Sequence, residues 1–450
     1  MTKLFQSDTI TIAFKTDCKK GDRMQILLSL SVALFAGLML SRLAKLVKLP
    51  AVTAYLVAGI VVGPYLLGRL GVSGLGFINM ADIKSYDLLS DVALGFIAFS
   101  IGNEFRLAQL KKIGKQATVI GIIQAVTATV LVDGALIGLH FLIPDKLPLP
   151  SAIILGAVAS ATAPAATLMI VRQYKSKGPL TDILLPIVAL DDAVGLILFA
   201  ISFGVAKAML SGHLDIISII LEPALEVVLS LLLGAVMGML FSLFERFFHS
   251  RSKRLSMSVT FVFLTVALSM TEFTLFGVHI AFSSLLVCMM LGTMFCNMCD
   301  FSEELMDRVD RWTAPLFILF FVISGAELEL SIFKDGAIVA IGLIYIIVRS
   351  VGKYIGASLS ARAVNCDSNI VKYLGVTLLP QAGVALGMAI KAEELGSVGI
   401  VVANITLFSV LIYELVGPFL TKIALLKAGE IQPEGKVSAR ELAKQQKAQG

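Results

Sequence analysis

Thirteen apolar stretches of spanning length punctuate the chain, at residues 25–41, 51–71, 87–106, 116–143, 149–172, 180–210, 217–248, 257–276, 279–296, 312–333, 335–363, 370–392 and 396–426. About 20 apolar residues carry a helix across the hydrocarbon core of a bilayer. The pattern therefore predicts an all-α polytopic membrane protein of thirteen transmembrane helices. The weakest boundary lies between the eighth and ninth stretches, where TEFTLFGVHIAF offers only a short connection. Residues 1–24, mixed polar and charged, read as an N-terminal extension, with Met24 an alternative start, and residues 428–450 as a solvated cytoplasmic tail.

Composition agrees. The chain is 57% hydrophobic and 15% charged, with mean hydropathy +0.90, against roughly 45–50% and about 25% in soluble domains. Lys and Arg gather after the odd-numbered stretches: Arg42, Lys45 and Lys48; Lys111, Lys112 and Lys115; Arg172, Lys175 and Lys177; Arg246, Arg251, Lys253 and Arg254; then Lys422, Lys427, Lys436, Arg440, Lys444 and Lys447 in the tail. Loops after even stretches carry one or two, such as Lys146. The positive-inside rule puts the C-terminus in the cytoplasm, and an odd count puts the N-terminus outside. The net charge of +5 reflects these loops; no basic domain for nucleic acid is present. No G-x-x-x-x-G-K-[ST] motif supports ATP-driven pumping. The cysteines at 18, 288, 296, 299 and 366 form no disulfide framework, and the Cys296/Cys299 pair lacks the partners of a zinc site.

An internal match reveals organisation. FSIGNEFRL (99–107) and VISGAELEL (322–330) share a core in which Gly102 and Glu104 answer Gly325 and Glu327. Two stretches further on in each half, a proline interrupts an apolar run: Pro164 in SATAPAAT, and Pro380, followed by Gln381, in LLPQAGVALG. The matched order predicts two six-helix repeats, helices one to six and eight to thirteen, joined by the helix at 217–248. Seven helices separate equivalent positions, an odd number, so the repeats are inverted in the membrane, as in secondary transporters with broken helices near the midplane. Unwound backbone survives in a membrane only where it lines a cavity or is buried in protein. Thr162, Ala163 and Pro164 would offer carbonyls and a hydroxyl, hard ligands for a small monovalent cation. Gly59 and Gly63 form a small-xxx-small face, suited to close packing within the chain or to a dimer contact.

The stretch VALDDAVGL sets two adjacent acids, Asp191 and Asp192, about twelve residues into the sixth stretch. A lone Asp at the bilayer centre costs roughly 2.5–3.5 kcal/mol on insertion scales. Neighbouring helical side chains point about 100° apart, so one acid meets a fixed counter-charge while the other faces a cavity. The counter-charge lies in VRSVGKYIGA, where Arg349 and Lys353 stand four apart on one helical face. Lys can release its proton when buried and Arg cannot, which makes Lys353 the better exchanger; Arg349 serves equally well to orient an acid such as Glu414.

These residues resemble the monovalent cation:proton antiporter superfamily, specifically its second branch, with the NapA-like membrane domains of sodium/proton antiporters. AYLVAGIVVGPYLLG (54–68) is similar to the family's second-span signature, ATAP to its broken-helix threonine motif, LDD to its paired aspartates and GKYIGA to its lysine helix. The resemblance implies Asp192 as the cation- and proton-binding carboxylate, with Thr162 beside it, and Asp191 as the partner of Lys353. It implies a core of residues 116–210 and 335–427, with crossing helices broken at Ala163, Pro164, Pro380 and Gln381. This core would move as an elevator against a dimerising scaffold of residues 25–106 and 257–333. The chain departs from the pattern at Ala163, where one branch has an acid, and in holding both Arg349 and Lys353. Potassium efflux relatives usually carry Gln before the key Asp and a large cytoplasmic domain, neither of which this sequence has. The expectation is a homodimeric antiporter of the inner (plasma) membrane, without enzymatic activity or resident cofactor. It would exchange cytoplasmic sodium, or lithium or potassium, electrogenically for external protons. The alternatives are a potassium:proton antiporter, or a gated potassium channel or sensor on the same scaffold.

Overall fold

A computed structural model of the chain describes residues 5–46, 49–71, 76–103, 105–211, 221–275, 278–299, 301–328 and 335–431. The backbone is helical: α1 (Phe5–Leu46), α2 (Ala51–Val62), the short α3 (Met80–Lys84), α4 (Asp87–Gly102), α5 (Leu107–His140), α6 (Leu149–Val158), α7 (Pro164–Gln173), α8 (Pro179–Ser211), α9 (Glu222–Glu245), α10 (Arg251–Ser269), α11 (Ser284–Met298), α12 (Ser302–Glu327), α13 (Gly336–Ala363), α14 (Ser368–Thr377), α15 (Gly383–Ala392) and α16 (Ser397–Lys427). In a bilayer this follows from chemistry, because only a helix or a closed barrel satisfies its own backbone groups. Among the described residues, seven helices are long and apolar enough to cross a membrane, and α2, α6 and α11 are shorter apolar helices. The apolar stretches 149–172 and 370–392 are each divided in two, at the prolines. Helix α1 continues back to Phe5, through the polar residues read as an extension. Glu104 and the tail from residue 432 lie outside the described residues.

One small departure from an all-helical chain lies at the weak boundary. Phe273–Leu275 (β1) and Val278–Ile280 (β2) pair as an antiparallel hairpin, Phe273 opposite Ile280. Aromatic and β-branched residues here favour a pleated pair, so α10 and α11 are shorter than the apolar stretches suggest.

The chain falls into two compact units, residues 1–90 with 315–328, and residues 91–314 with 329–450. In the first, α2 and the end of α12 touch backbone to backbone. A Cβ on Gly59 would collide with the Val322 carbonyl, and a Cβ on Gly325 with that of Leu56. The Gly59/Gly63 face is thus occupied within the chain, the first of the two uses open to it. Gly325→Ala is expected to lower stability by about 1–3 kcal/mol through overpacking, read as a fall in melting temperature in detergent.

In the second unit, α4 and α11 meet in the same reciprocal way, Gly102 against the Met289 carbonyl and Gly292 against that of Phe99. Phe99, Phe241 and Phe295 pack together there, the rings of Phe241 and Phe295 stacked at 4.3 Å. Helices α5, α6, α8, α13, α15 and α16 surround a separate apolar core that includes Val132, Ile154, Leu155, Tyr345, Met388 and Ile405. After α16 the chain folds back onto the start of α8. The Glu430 carboxylate accepts from the backbone N–H of Leu180 (2.6 Å) and Thr181 (2.8 Å) and from the Thr181 hydroxyl (2.5 Å). First-turn N–H groups have no partner within a helix, and Glu430 supplies one from 250 residues away. The first residues read as solvated tail therefore belong to the fold.

Candidate functional site

The site forms where the two broken helices meet. Helix α6 stops at Val158, residues 161–163 leave helical geometry, and Pro164, whose missing N–H costs nothing at a helix start, begins α7. The second break runs from Leu378 to Ala382. The breaks are bonded to each other: the Ala163 N–H donates to the Pro380 carbonyl at 2.8 Å. The Gln381 amide donates to the Val158 carbonyl (2.9 Å) and to the Tyr345 hydroxyl (3.1 Å), and accepts from Ser409 (3.3 Å).

Breaking a helix strands carbonyls at the negative end of its dipole, and two cations of α13 meet them. Arg349, fully buried, donates to the carbonyls of Ala159 (3.0 Å), Ala161 (2.6 Å) and Leu379 (2.8 Å), so one guanidinium ties both breaks together. Its flat face lies 4.4 Å from the Tyr413 ring centre. All three hydrogen bonds go to main-chain oxygens, which the sequence reading, looking for a carboxylate partner, did not foresee. Lys353, one turn on, donates to the Ser160 carbonyl (2.5 Å), the Thr162 hydroxyl (3.0 Å) and Asp191 Oδ2 (3.0 Å).

The two acids of α8 differ sharply. Asp191 is saturated: Oδ2 accepts from Lys353 and from the Thr162 hydroxyl (2.6 Å), and Oδ1 accepts from the Gln124 side chain. Asp192, 1% exposed, has no hydrogen-bond partner on either oxygen among the described residues. One turn later Gly195 packs closely, since a Cβ there would come within 3.2 Å of the Ser160 hydroxyl and 3.3 Å of Met388. A buried, unpartnered carboxylate is expensive, and a bound cation or a proton would neutralise it.

Lys353, Asp191 and Thr162 are bonded to one another, and Arg349, Ala163, Pro380 and Gln381 brace the same two breaks. The Thr162 hydroxyl is held by Asp191, and the carbonyls of Ala159, Ser160 and Ala161 by Arg349 and Lys353. Gln124 went unseen in the sequence; its only signal is an amide in the middle of an otherwise apolar run, GIIQAV. Outside the site, Asp133 of α5 lies against Gly156 of α6, Glu414 is buried on α16, and Glu327 ends α12. Cys296 and Cys299 are buried and not joined by a disulfide, and no cluster of three or more His, Cys, Asp or Glu suited to a metal occurs among the described residues.

Comparison with known proteins bears on this arrangement. The family model described as sodium/hydrogen exchanger, transmembrane, matches residues 30–427. The Na(+)/H(+) antiporter NhaS4 of a Synechocystis strain is 24% identical over 359 residues, 78% of this chain and 84% of that protein. The K(+)/H(+) antiporter subunit KhtU of Bacillus subtilis is 23% identical over 388 residues, 85% and 89% of the two chains. The structure of the sodium proton antiporter MjNhaP1 from Methanocaldococcus jannaschii at pH 8 superposes with TM-score 0.63 at 16% identity, covering 91% of this chain and 97% of that one. An electron-microscopy map of the same antiporter gives TM-score 0.69 at 14% identity, covering 90% and 98%. At these identities the likeness shows the fold.

Proposed function

The chain belongs to the sodium/hydrogen exchanger family of membrane antiporters, and from that premise we propose that it moves a monovalent cation, sodium first, out of the cytoplasm in exchange for external protons at Asp192. The observation that carries this reading is the contrast within the acid pair: Asp191 is held by three donors, while both oxygens of the buried Asp192 are unpartnered among the described residues. Asp192 carries one charge, so cation and proton compete for it, which is what exchange requires. Lys353, bonded to Asp191, is placed to lose or regain a proton as the neighbouring charge changes, which would make exchange electrogenic.

In this reading the chain crosses the membrane thirteen times with its C-terminus in the cytoplasm of the inner (plasma) membrane. The inverted repeats draw support from the glycine pairs: α2 against α12 and α4 against α11 are the contacts that such repeats would interchange, with Gly102 and Gly325 at matched positions. Helices α5–α8 and α13–α16 form the moving core, α9 is the linker, and a homodimer is formed through the scaffold of residues 25–106 and 257–333. Core and remainder are joined at one end by the ion pair of Arg172 on α7 and Asp310 on α12, which elevator motion would have to break. The cation is cargo, and the reading includes no resident cofactor.

Sodium is favoured over potassium because an acid, not Gln, precedes Asp192; the potassium reading rests on the likeness to KhtU. Purified protein in liposomes with an internal pH dye tests both. Sodium, lithium or potassium added outside is expected to move protons, with sodium effective at the lowest concentration and the flux reversing with the pH gradient. Flux indifferent to that gradient would point to a channel, and none under any gradient to a sensor.

A further inference from the structure

We infer that Gln124 is a positioning residue that commits Asp191 to Lys353 and so leaves Asp192 as a one-acid cation site; this rests on the reading of Asp192 as the exchanging carboxylate. Three glycines bring Gln124 into place. A Cβ on Gly121 would lie 2.8 Å from Leu190, next to the acid pair, so α5 runs hard against α8. Gly356 and Gly352 flank Lys353, and Cβ atoms there would lie 2.7 Å from the Gln124 Cα and 2.9 Å from the Ala128 Cα, so α5 also runs against the lysine helix. Small residues permit such backbone contact between membrane helices. Gln124 and Lys353 therefore reach Asp191 from neighbouring helices, one to each oxygen.

The Gln124 amide is fixed by what it donates. Its nitrogen gives one hydrogen bond to the Gly121 carbonyl at 2.9 Å and one to Asp191 Oδ1. Turning the amide over would set its oxygen against two acceptors, so the assignment follows from chemistry. Its Oε1 is buried without a partner among the described residues, so no bond from them on that side competes for the orientation. The side chain is fully buried, where water cannot substitute for it.

An amide does not titrate. Lys353 can change its charge during exchange, and then its bond to Oδ2 weakens; the bond from Gln124 to Oδ1 is the same in either state. Without Gln124, Oδ1 becomes a buried acceptor with no donor, which costs free energy and is relieved most simply if Asp191 turns toward the cation at Asp192. Two acids would then share one cation, holding it more tightly and releasing it more slowly. Stronger ground-state binding that does not carry into the turnover step lowers KM and kcat together.

Gln124→Met, which keeps the length and removes the donor, is the variant to compare with native protein in liposomes, across sodium concentrations. The expected result is a KM for sodium at least about threefold lower with kcat reduced by at least as much, and no further change when Gln124→Met is added to Asp191→Asn. A KM at or above the native value, or the same shift persisting in the Asp191→Asn background, overturns the assignment. Loss of packing alone would not tighten cation binding. Should Gln124→Met fail to purify, Gln124→Leu examined by the sodium concentration that raises its melting temperature by half the maximum gives the same comparison without turnover. Asp192→Asn separates the two levels: if it still responds to sodium, the reading of Asp192 is at fault, whatever Gln124 does.

Discussion

Asp192→Asn is expected to reduce cation-driven proton flux to that of empty liposomes while the protein melts at or above the native temperature. The two parts have one cause. Asp192 is buried with both oxygens unpartnered among the described residues, so the folded protein bears the cost of burying a polar group without hydrogen bonds, about 1–3 kcal/mol or more for a charged one. A neutral amide carries less of that cost, and it can neither bind a proton nor balance a cation. The same substitution at Asp191 should behave differently, because it would leave Lys353 buried without its carboxylate, and losing one partner of a buried pair costs about 3–5 kcal/mol. Melting curves of the two variants, with and without sodium, distinguish them. An Asp192→Asn protein that melts well below native would mean that the carboxylate has a structural partner after all.

Arg349→Met is expected to prevent accumulation of folded protein. One guanidinium satisfies the carbonyls of Ala159, Ala161 and Leu379, and each buried group left unsatisfied costs about 1–3 kcal/mol, against a total stability of about 5–15 kcal/mol. Arg349→Lys should rescue little, since a compact ammonium does not match a planar fork spread over two breaks. Lys353→Met should be milder for folding, because Asp191 keeps Thr162 and Gln124 as donors. Size-exclusion profiles of fluorescent fusions in detergent would separate these outcomes. Should Arg349→Met fold normally and fail only in exchange, Arg349 would belong to the transport chemistry and not to the framework.

What the sequence made legible was what is local. Apolar runs, prolines and the adjacent acids each appear within a few residues, and the two helix breaks could be anticipated from them, whereas their crossing was implied by the resemblance. Partners across the fold could not. Lys353 was matched to an acid from resemblance and charge, whereas Arg349 was looked for beside a carboxylate and donates instead to backbone oxygens, which carry no signature in the sequence. Gln124 reaches Asp191 across 67 residues, and nothing in GIIQAV marks that amide as different from one that faces a neighbouring helix. The hairpin at 273–280 was hidden because the same apolar residues suit a strand or the end of a helix.

The bond between Glu430 and the start of α8 has a consequence for synthesis. A ribosome releases the residues of α8 long before it reaches position 430, and until then the N–H groups of Leu180 and Thr181 lack the acceptor that Glu430 later provides. The helix bearing both acids is thus finished last at its first turn, by a residue that follows α16. A chain stopped just after α16 would have every helix of the site and still lack that final clasp, so a reporter domain is better joined beyond Ile431 than directly to Lys427.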